Sequence, residues 1–268
     1  MPIYRPFETI EEQNDWMAKS ESIQIKPFVK EICNTPQWAE QVQNPFGGLL
    51  IDQSGYVAVN SFLSVSRKLF LKQHQFIESE FDHKKLKIHN SQCEYEDVES
   101  KGIIFCEGES ARSNSYFHWV PIRPMKGEVL EIEFDEIPEA IYNRGVYVVP
   151  NSGTHHNVGA TYNQSPFVNG VTEEGRIELN TKLRALISIP YRVVDQRWGI
   201  RPTSPDRRPI LGCHPEYKNV FIFNGLGTKG VSLAPHFSSL LAKHLTDGDE
   251  ITKEVNIQRF YPLYSGSR

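Results

Sequence analysis

Short runs of alternating apolar and polar residues, separated by Gly, Pro and Asn, fill the middle of the chain. Runs of this kind predict short strands of a mostly antiparallel sheet. The predicted strands are Phe76–Phe81, Cys93–Val98, Ile103–Cys106, Glu128–Phe134, Val146–Val149 and Val158–Tyr162.

Apolar residues at helical spacing predict helices before and after this region. Thr9, followed by Glu12, forms a capping box for a first helix, and Asn60 is predicted to cap a second. A third helix is predicted from about Glu173 to Ile187. Val220–Phe223 then predicts a buried strand, which a glycine-rich turn joins to a last helix. These elements together predict an α+β fold.

Composition narrows the classes of function. The chain has 268 residues, 39% hydrophobic and 23% charged, which is ample for a folded core. There are 29 Lys and Arg and 33 Asp and Glu residues, so the net charge is −4 and no basic run indicates nucleic-acid binding. No apolar stretch approaches the ~20 residues that cross a bilayer. The four cysteines lack the spacing of a zinc site, and we expect reduced thiols in a cytoplasmic protein without a metal.

The glycine-rich turn, Gly225 to Gly230, reads GxGxxG between a predicted strand and a predicted helix. A dinucleotide fingerprint also needs a second strand that ends in an acidic residue, in a unit of ~30 residues. The polar and aromatic residues 251–268 supply no such strand, which argues against NAD. Glycines let a ligand approach the backbone, and a helix N-terminus offers N–H groups to an electron-rich atom. A tight turn without a ligand is the alternative.

Arg201 stands between an isoleucine and a proline, in a segment rich in proline. A guanidinium held by a rigid backbone suits forked recognition of a carboxylate, although an exposed or ion-paired arginine is the alternative. We assign the neighbouring Arg207 and Arg208 to the surface. His155 and His156 lie in a polar loop and are predicted to be solvated.

Six segments follow one another in a fixed order, and each carries a short motif. They are Ile103–Gly108, Pro121–Glu128, Gly145–Pro150, Val158–Tyr162, Gly199–Gly212 and Asn224–Pro235. As a set, over roughly residues 50 to 245, they resemble the D-amino acid oxidase-like family of FAD-dependent oxidoreductases, which includes glycine oxidase and D-amino acid dehydrogenases. The resemblance implies an antiparallel substrate-domain sheet with helices, plus the C-terminal part of an FAD-binding α/β domain.

The resemblance also implies domain boundaries. Residues 1–100 are expected to form a mixed segment with part of the substrate domain, and residues 101–115 a strand segment of the FAD domain. Residues 116–195 would form the substrate-binding sheet domain, 196–250 the C-terminal FAD-domain segment and 251–268 a tail.

Matching positions imply roles for individual residues. Arg201 corresponds to the arginine that pairs with the substrate carboxylate, and Tyr147 to the tyrosine whose hydroxyl helps to fix that group. An ordinary strand aromatic is the alternative for Tyr147. The residues implied to contact FAD are Glu107, Gly108, Gly225, Gly227, Thr228, Lys229 and Gly230. Most would do so through backbone atoms, and a solvent-facing Lys229 is the alternative.

One part of the family pattern has no match: nothing before Gly47 resembles the GxGxxG that holds the ADP half of FAD. We therefore expect a fragment, or an FAD site that a missing N-terminal segment or a partner chain completes. The expected reaction is hydride transfer from an amino acid or related amine to the flavin, giving an imine that water hydrolyses. A non-catalytic binding or scaffold domain that has lost the cofactor is the alternative. Substrate identity, electron acceptor and oligomeric state stay open.

Overall fold

The computed structural model describes residues 1–90, 92–135, 138–164 and 167–266. The helices are α1 (Ile10–Ser20), α2 (Val59–Lys72), α3 (Glu173–Leu186) and α4 (Gly230–Asp247). The strands are β1 (Ile3–Pro6), β2 (Val29–Cys33), β3 (Gly48–Ile51), β4 (Leu86–Ile88), β5 (Cys93–Tyr95), β6 (Val98–Ser100), β7 (Ile103–Phe105), β8 (Arg123–Glu133), β9 (Ile141–Arg144), β10 (Val146–Ser152), β11 (His155–Gly159), β12 (Asn163–Gln164), β13 (Arg192–Thr203), β14 (Ile210–Cys213) and β15 (Val220–Asn224).

The chain divides into two units. Unit 1 comprises Met1–Leu69, Gly127–Asn163 and Phe167–Gly199. Unit 2 comprises Phe70–Lys126, Gln164–Pro166 and Ile200–Arg268. The domain boundaries that the family resemblance implies stay a prediction.

Unit 1 is built on one large sheet. Its strand order is β12-β8-β11-β10-β9-β1-β3-β2, with β13 paired to β8. The pairs β1–β3, β2–β3, β8–β11, β9–β10 and β10–β11 are antiparallel, whereas β1 and β9 run parallel. The predicted α+β fold with a mostly antiparallel sheet is confirmed.

The sequence of β8 shows why this sheet has one apolar and one polar face. Leu130 and Ile132 are fully buried in the core, while the alternating Glu131 and Glu133 lie on the opposite face. Leucines at helical spacing on α3 join the same core: Leu179, Leu183 and Leu186. Fully burying one such side chain stabilises the fold by ~2 kcal/mol. The core of unit 1 therefore lies between α3 and the apolar face of the sheet.

Unit 2 contains a smaller sheet of order β14-β15-β7 and a separate meander, β4-β5-β6. β15 pairs antiparallel with β14 and parallel with β7, and α4 follows β15 through the glycine-rich turn. Its main core is aromatic: Phe105 and Phe117 pack 5.9 Å apart between ring centroids, and Phe117 contacts the buried ring of His214. None of the described helices has the length and apolar character needed to span a membrane.

Three predictions about elements are wrong. The predicted strand Cys93–Val98 is divided between β5 and β6, which pair around a turn at Glu96 and Asp97. Phe76–Phe81 forms no strand, because its β-favouring residues find no partner strand in the described part of the chain. Asn60 does not cap α2, since that helix already begins at Val59. The apolar residue Ile177 of α3 is also 58% exposed, so it does not belong to the buried face of its helix.

Candidate active site

The glycine-rich turn has the backbone that its sequence predicts. Gly225 and Gly227 have φ of +71° and +57°, the left-handed region in which a side chain is strained. A Cβ on Gly225 would also lie 3.0 Å from Cγ1 of Ile210. Glycine is therefore required at both positions, and a short 3-10 turn, Gly227–Lys229, then leads into α4.

The first turn of α4 has no side-chain cap among the described contacts. Backbone N–H groups at such a helix start carry partial positive charge and attract an electron-rich atom. The side chains of Thr228 and Lys229 are exposed, whereas Gly230 leaves the backbone open, with its closest Cβ contact at 3.7 Å. This turn therefore offers backbone donors rather than side chains to a ligand.

A second glycine segment follows β7 in the same unit. Gly108 has φ of +61°, and a Cβ there would meet only Cγ of Pro202, at 3.8 Å. The carboxylate of the preceding Glu107 accepts a hydrogen bond from Nδ2 of Asn114 at 2.7 Å and lies 3.1 Å from Nε2 of His83. Because these contacts hold the Glu107 side chain, the backbone is what this segment presents to a ligand.

Asn224, the last residue of β15, joins the two glycine segments. Its Nδ2 donates a hydrogen bond to the carbonyl of Gly108 at 2.8 Å, and its Oδ1 accepts from the N–H of Gly225 at 2.8 Å. The side chain is only 3% exposed. Unit 2 thus brings Glu107–Gly108 and Gly225–Gly230 together. Sequence reasoning gave Asn224 no role, although its place directly before Gly225 was a signal.

Arg201 lies near the end of β13 and is half-buried. Oγ1 of Thr203 donates to the carbonyl of Arg123 at 2.7 Å, which fixes the end of the strand. In the loop after β13, Oδ2 of Asp206 accepts a hydrogen bond from Nε of Arg259, near the C-terminal end of the chain, at 2.8 Å. Burial alone would raise the pKa of Asp206, but its hydrogen bonds, the one from Arg259 first, hold that pKa below the usual range. The backbone that follows Arg201 is therefore held by side-chain contacts at Thr203 and Asp206.

Tyr147 lies on β10 in unit 1, opposite Gly159 of β11. A Cβ on Gly159 would lie 2.5 Å from the Tyr147 hydroxyl oxygen and 2.8 Å from Cγ1 of Val129. The phenol therefore lies across Gly159 toward β8. Only glycine leaves room for this arrangement, and the remaining site residues named from the sequence, Arg201 included, belong to unit 2.

The expectation of two solvated histidines is wrong for His156. His156 is 0% exposed and stacks on Phe134, with ring centroids 4.0 Å apart. Its Nδ1 lies 3.0 Å from the carbonyl of Thr154, and burial lowers the pKa of the imidazole. His155 is half-buried, with Nδ1 2.6 Å from Oε1 of Glu131. Both residues lie on β11 rather than in a loop, and alternate side chains of a strand point to opposite faces, so His156 enters the core while His155 stays partly exposed.

The class of protein is defined by this combination of fold and site. The chain matches the family described as "DAO: FAD dependent oxidoreductase" over residues 8–244. It belongs to that family, whose cofactor is FAD.

Individual relatives are similar over part of their length. The chain is 27% identical over 154 residues to the tRNA 5-methylaminomethyl-2-thiouridine biosynthesis bifunctional protein MnmC of Idiomarina loihiensis, covering 53% of this chain and 25% of that protein. It is 31% identical over 141 residues to glycine oxidase of Bacillus subtilis, covering 50% and 36%. The chain thus matches well under two thirds of the length of these relatives.

Solved structures show the same fold. Glycine oxidase from Bacillus cereus superposes with a TM-score of 0.77 at 16% identity, covering 93% of this chain and 73% of that one. Iminodiacetate oxidase from Chelativorans sp. BNC1 gives 0.69 at 18% identity, covering 97% and 74%. The likeness to a group of oxidases extends over nearly the whole chain.

The residues of unit 2 fit one part of FAD. A flavin ring gains negative charge on its pyrimidine side when it is reduced, and the uncapped start of α4 supplies N–H donors for that charge. The outward sides of Gly108 and Gly230 are open to a flat or chain-like group. These are the positions that the resemblance names for FAD.

Proposed function

We propose that this chain forms the substrate-binding and flavin-binding parts of an oxidoreductase that oxidises an amino acid or a related amine. The observation that carries the proposal is the contact through Asn224, which sets two open glycine segments beside the uncapped start of α4. Bound there, FAD would accept a hydride from the carbon that bears the amine. Water then hydrolyses the resulting imine to an oxo acid and an amine or ammonia.

On the proposed substrate side, Arg201 binds the carboxylate and Tyr147 donates a hydrogen bond to it. A guanidinium gives two parallel charge-assisted hydrogen bonds, and a phenol adds one directional neutral donor. The rigid end of β13 and the glycine under the Tyr147 ring support these roles, because both side chains start from fixed backbone. The glycine oxidases and iminodiacetate oxidase among the relatives are named for substrates that carry a carboxylate beside an amine.

The ADP half of FAD needs a further strand–helix segment, on the same polypeptide or on a partner chain. Two surfaces support its docking. No residue of α2 is buried, and three of its apolar side chains, Phe62, Leu63 and Val65, are 57% to 65% exposed. Within the described residues, β7 pairs only with β15, which leaves its other edge for a parallel strand. Apolar surface of this extent marks a place where another segment packs.

An absorption spectrum with added FAD tests the binding part of this proposal. We expect weak or no retention of flavin by the chain alone, and a bound-flavin band when a strand–GxGxxG–helix segment is co-expressed. Glycine-rich-turn variants such as Gly227→Val should lose the band, whereas Gly199→Ala, at an open position, should keep it. No flavin band in either form would contradict the proposal and favour a scaffold domain without a cofactor.

A further inference from the structure

The face of the unit 1 sheet that carries Tyr147 also carries polar side chains two residues further along the strands. Tyr147, Gly159 and Val129 face one another across β10, β11 and β8. Two residues further along these strands, Asn157 of β11 stands opposite Glu131 of β8. Alternate residues of a strand share a face and lie ~7 Å apart. Asn157 is therefore a near neighbour of the Tyr147 row.

The amide of Asn157 has a fixed orientation. Nη2 of Arg197, on β13, donates to its Oδ1 at 2.6 Å. Because a guanidinium has only donors, the amide atom that faces it must be the oxygen. The amide NH2 group consequently points away from Arg197, and no described hydrogen bond uses it. Asn157 is half-buried, so the residue is partly exposed to solvent.

The charge of Arg197 is balanced by its neighbours. Its Nη2 lies 3.0 Å from Oε2 of Glu131, and its Nε lies 3.7 Å from Oδ2 of Asp195. Glu131 in turn lies 2.6 Å from Nδ1 of His155. Two carboxylates next to one guanidinium leave no excess positive charge, so this end of the row favours an uncharged acceptor over a second carboxylate.

We infer that Asn157 is a specificity-determining residue, whose amide NH2 donates to a carbonyl oxygen on the substituent of the substrate amine. The inference rests on the proposed function, which places the substrate carboxylate at Tyr147. In a glycine whose nitrogen carries a CH2–C(=O) group, the far carbonyl oxygen lies about 6 Å from the carboxylate carbon, by ordinary bond lengths. That length is comparable to the ~7 Å between the row that contains Tyr147 and Gly159 and the row that contains Asn157 and Glu131. The substrate class is therefore an N-substituted glycine with an uncharged acceptor.

Three ligands of equal size test this assignment: N-(carbamoylmethyl)glycine, N-isobutylglycine and iminodiacetate. They differ only in ending in an amide, two methyl groups or a carboxylate. Binding is measured by calorimetry on the full chain co-expressed with the strand–GxGxxG–helix segment and loaded with reduced FAD, so that no turnover occurs. The side-chain NH2 signal of Asn157 is followed by NMR in protein labelled with 15N-asparagine, and is assigned by its loss in Asn157→Asp.

We expect the carbamoyl ligand to bind about tenfold more tightly than the isobutyl ligand, the effect of one well-placed hydrogen bond, and more tightly than iminodiacetate. It should also shift the Asn157 NH2 signal. Asn157→Ala and Asn157→Leu should abolish the preference. Arg192→Ala should keep it, because Arg192 pairs with Glu133, one row further along. Circular dichroism confirms that each variant is folded.

Equal binding of the carbamoyl and isobutyl ligands, a preference that survives in both Asn157 variants, or no binding of any of the three would overturn the inference. The proposed function is tested separately, by anaerobic bleaching of the flavin with glycine, whose nitrogen carries no substituent. Bleaching by glycine without a carbamoyl preference rejects the role of Asn157 alone. A carbamoyl preference without bleaching by any substrate rejects the oxidoreductase alone.

Discussion

His156 and His214 are buried histidines, each in its own unit, with 0% and 2% exposure. The ring of His156 stacks on Phe134, and Nδ1 of His214 accepts the backbone N–H of Glu216 at 3.1 Å. Burial is the main cause that lowers the pKa of both imidazoles below their ordinary value of 6.5. Both are therefore neutral in the folded protein at neutral pH.

These two histidines predict a loss of stability in mild acid. Below pH ~6.5 the unfolded chain binds protons that the folded chain does not, so the free energy of unfolding falls as the pH drops. Each histidine contributes at most one proton, or ~1.4 kcal/mol per pH unit. Urea unfolding between pH 7.5 and 5.5 measures this slope, which His156→Gln should reduce. A slope unchanged by that substitution would contradict the role of His156, and exposed His236→Gln is the control.

Gly159→Ala tests the position of the Tyr147 ring. The new methyl group would lie 2.5 Å from the hydroxyl oxygen, so the phenol must move, at a cost of ~1–3 kcal/mol of stability. We expect weaker binding of carboxylate ligands as well, because the hydroxyl leaves its place. Gly199→Ala is the matched control, since nothing lies within 4 Å of its Cβ. Equal thermal midpoints and ligand affinities for the two variants would be inconsistent with the described packing.

Among individual residues of the candidate site, the sequence predicts the glycines of the turn but not the contacts of Asn157. Gly225 and Gly227 follow from local pattern, because a left-handed turn depends on few neighbours. Gly108 is named only by the family resemblance. The contacts of Asn157 depend on which residues of β8 and β13 lie beside it. That register is set by pairing over tens of residues, so neither periodicity nor a short motif could have revealed it.

Thr9 and Thr172 each cap a helix with their hydroxyl group, but they differ in their other contacts. Oγ1 of Thr9 accepts the N–H of Glu12 at 3.2 Å and contacts the carboxylate of the exposed Glu11, whereas Thr172 caps α3 and also donates to Oε1 of the buried Glu128 at 2.7 Å. Thr9→Ala should cost ~1 kcal/mol of unfolding free energy. Thr172→Ala should cost ~2–4 kcal/mol, because a buried carboxylate also loses a donor. Chemical denaturation compares them, and equal losses would argue against the Glu128 contact.

Elements with local signals are predicted well, and those that depend on distant partners are not. α1 follows Thr9, whose side chain caps it as the sequence predicts, and α3 (Glu173–Leu186) lies within the range that its sequence predicts. β1 escaped prediction because it pairs with β9, more than a hundred residues away. Phe76–Phe81 has residues that favour strands but no partner strand in the described ranges, so its β-propensity predicted a strand that does not form.

At the scale of the whole molecule, two features set this chain apart from a self-contained globular domain: the exposed apolar side chains of α2, and an edge of β7 that pairs with no strand among the described residues. A monomer rarely exposes so many apolar residues on one helix. Family membership explains the surface if a further segment carries the ADP-binding site. Under the proposed function, tight binding of FAD then requires that segment to pack against this chain.

The most direct test of the oxidoreductase is an anaerobic spectrum of the complemented, FAD-loaded protein during titration with glycine, N-substituted glycines and D-amino acids. We expect the flavin band to bleach with at least one of these substrates. Arg201→Ala should raise the half-saturating concentration about 10- to 100-fold, the loss of a charged hydrogen-bonding partner, and Arg176→Ala, exposed on α3, should not. A bound flavin that none of these compounds bleaches, or bleaching that is indifferent to Arg201, would contradict the account.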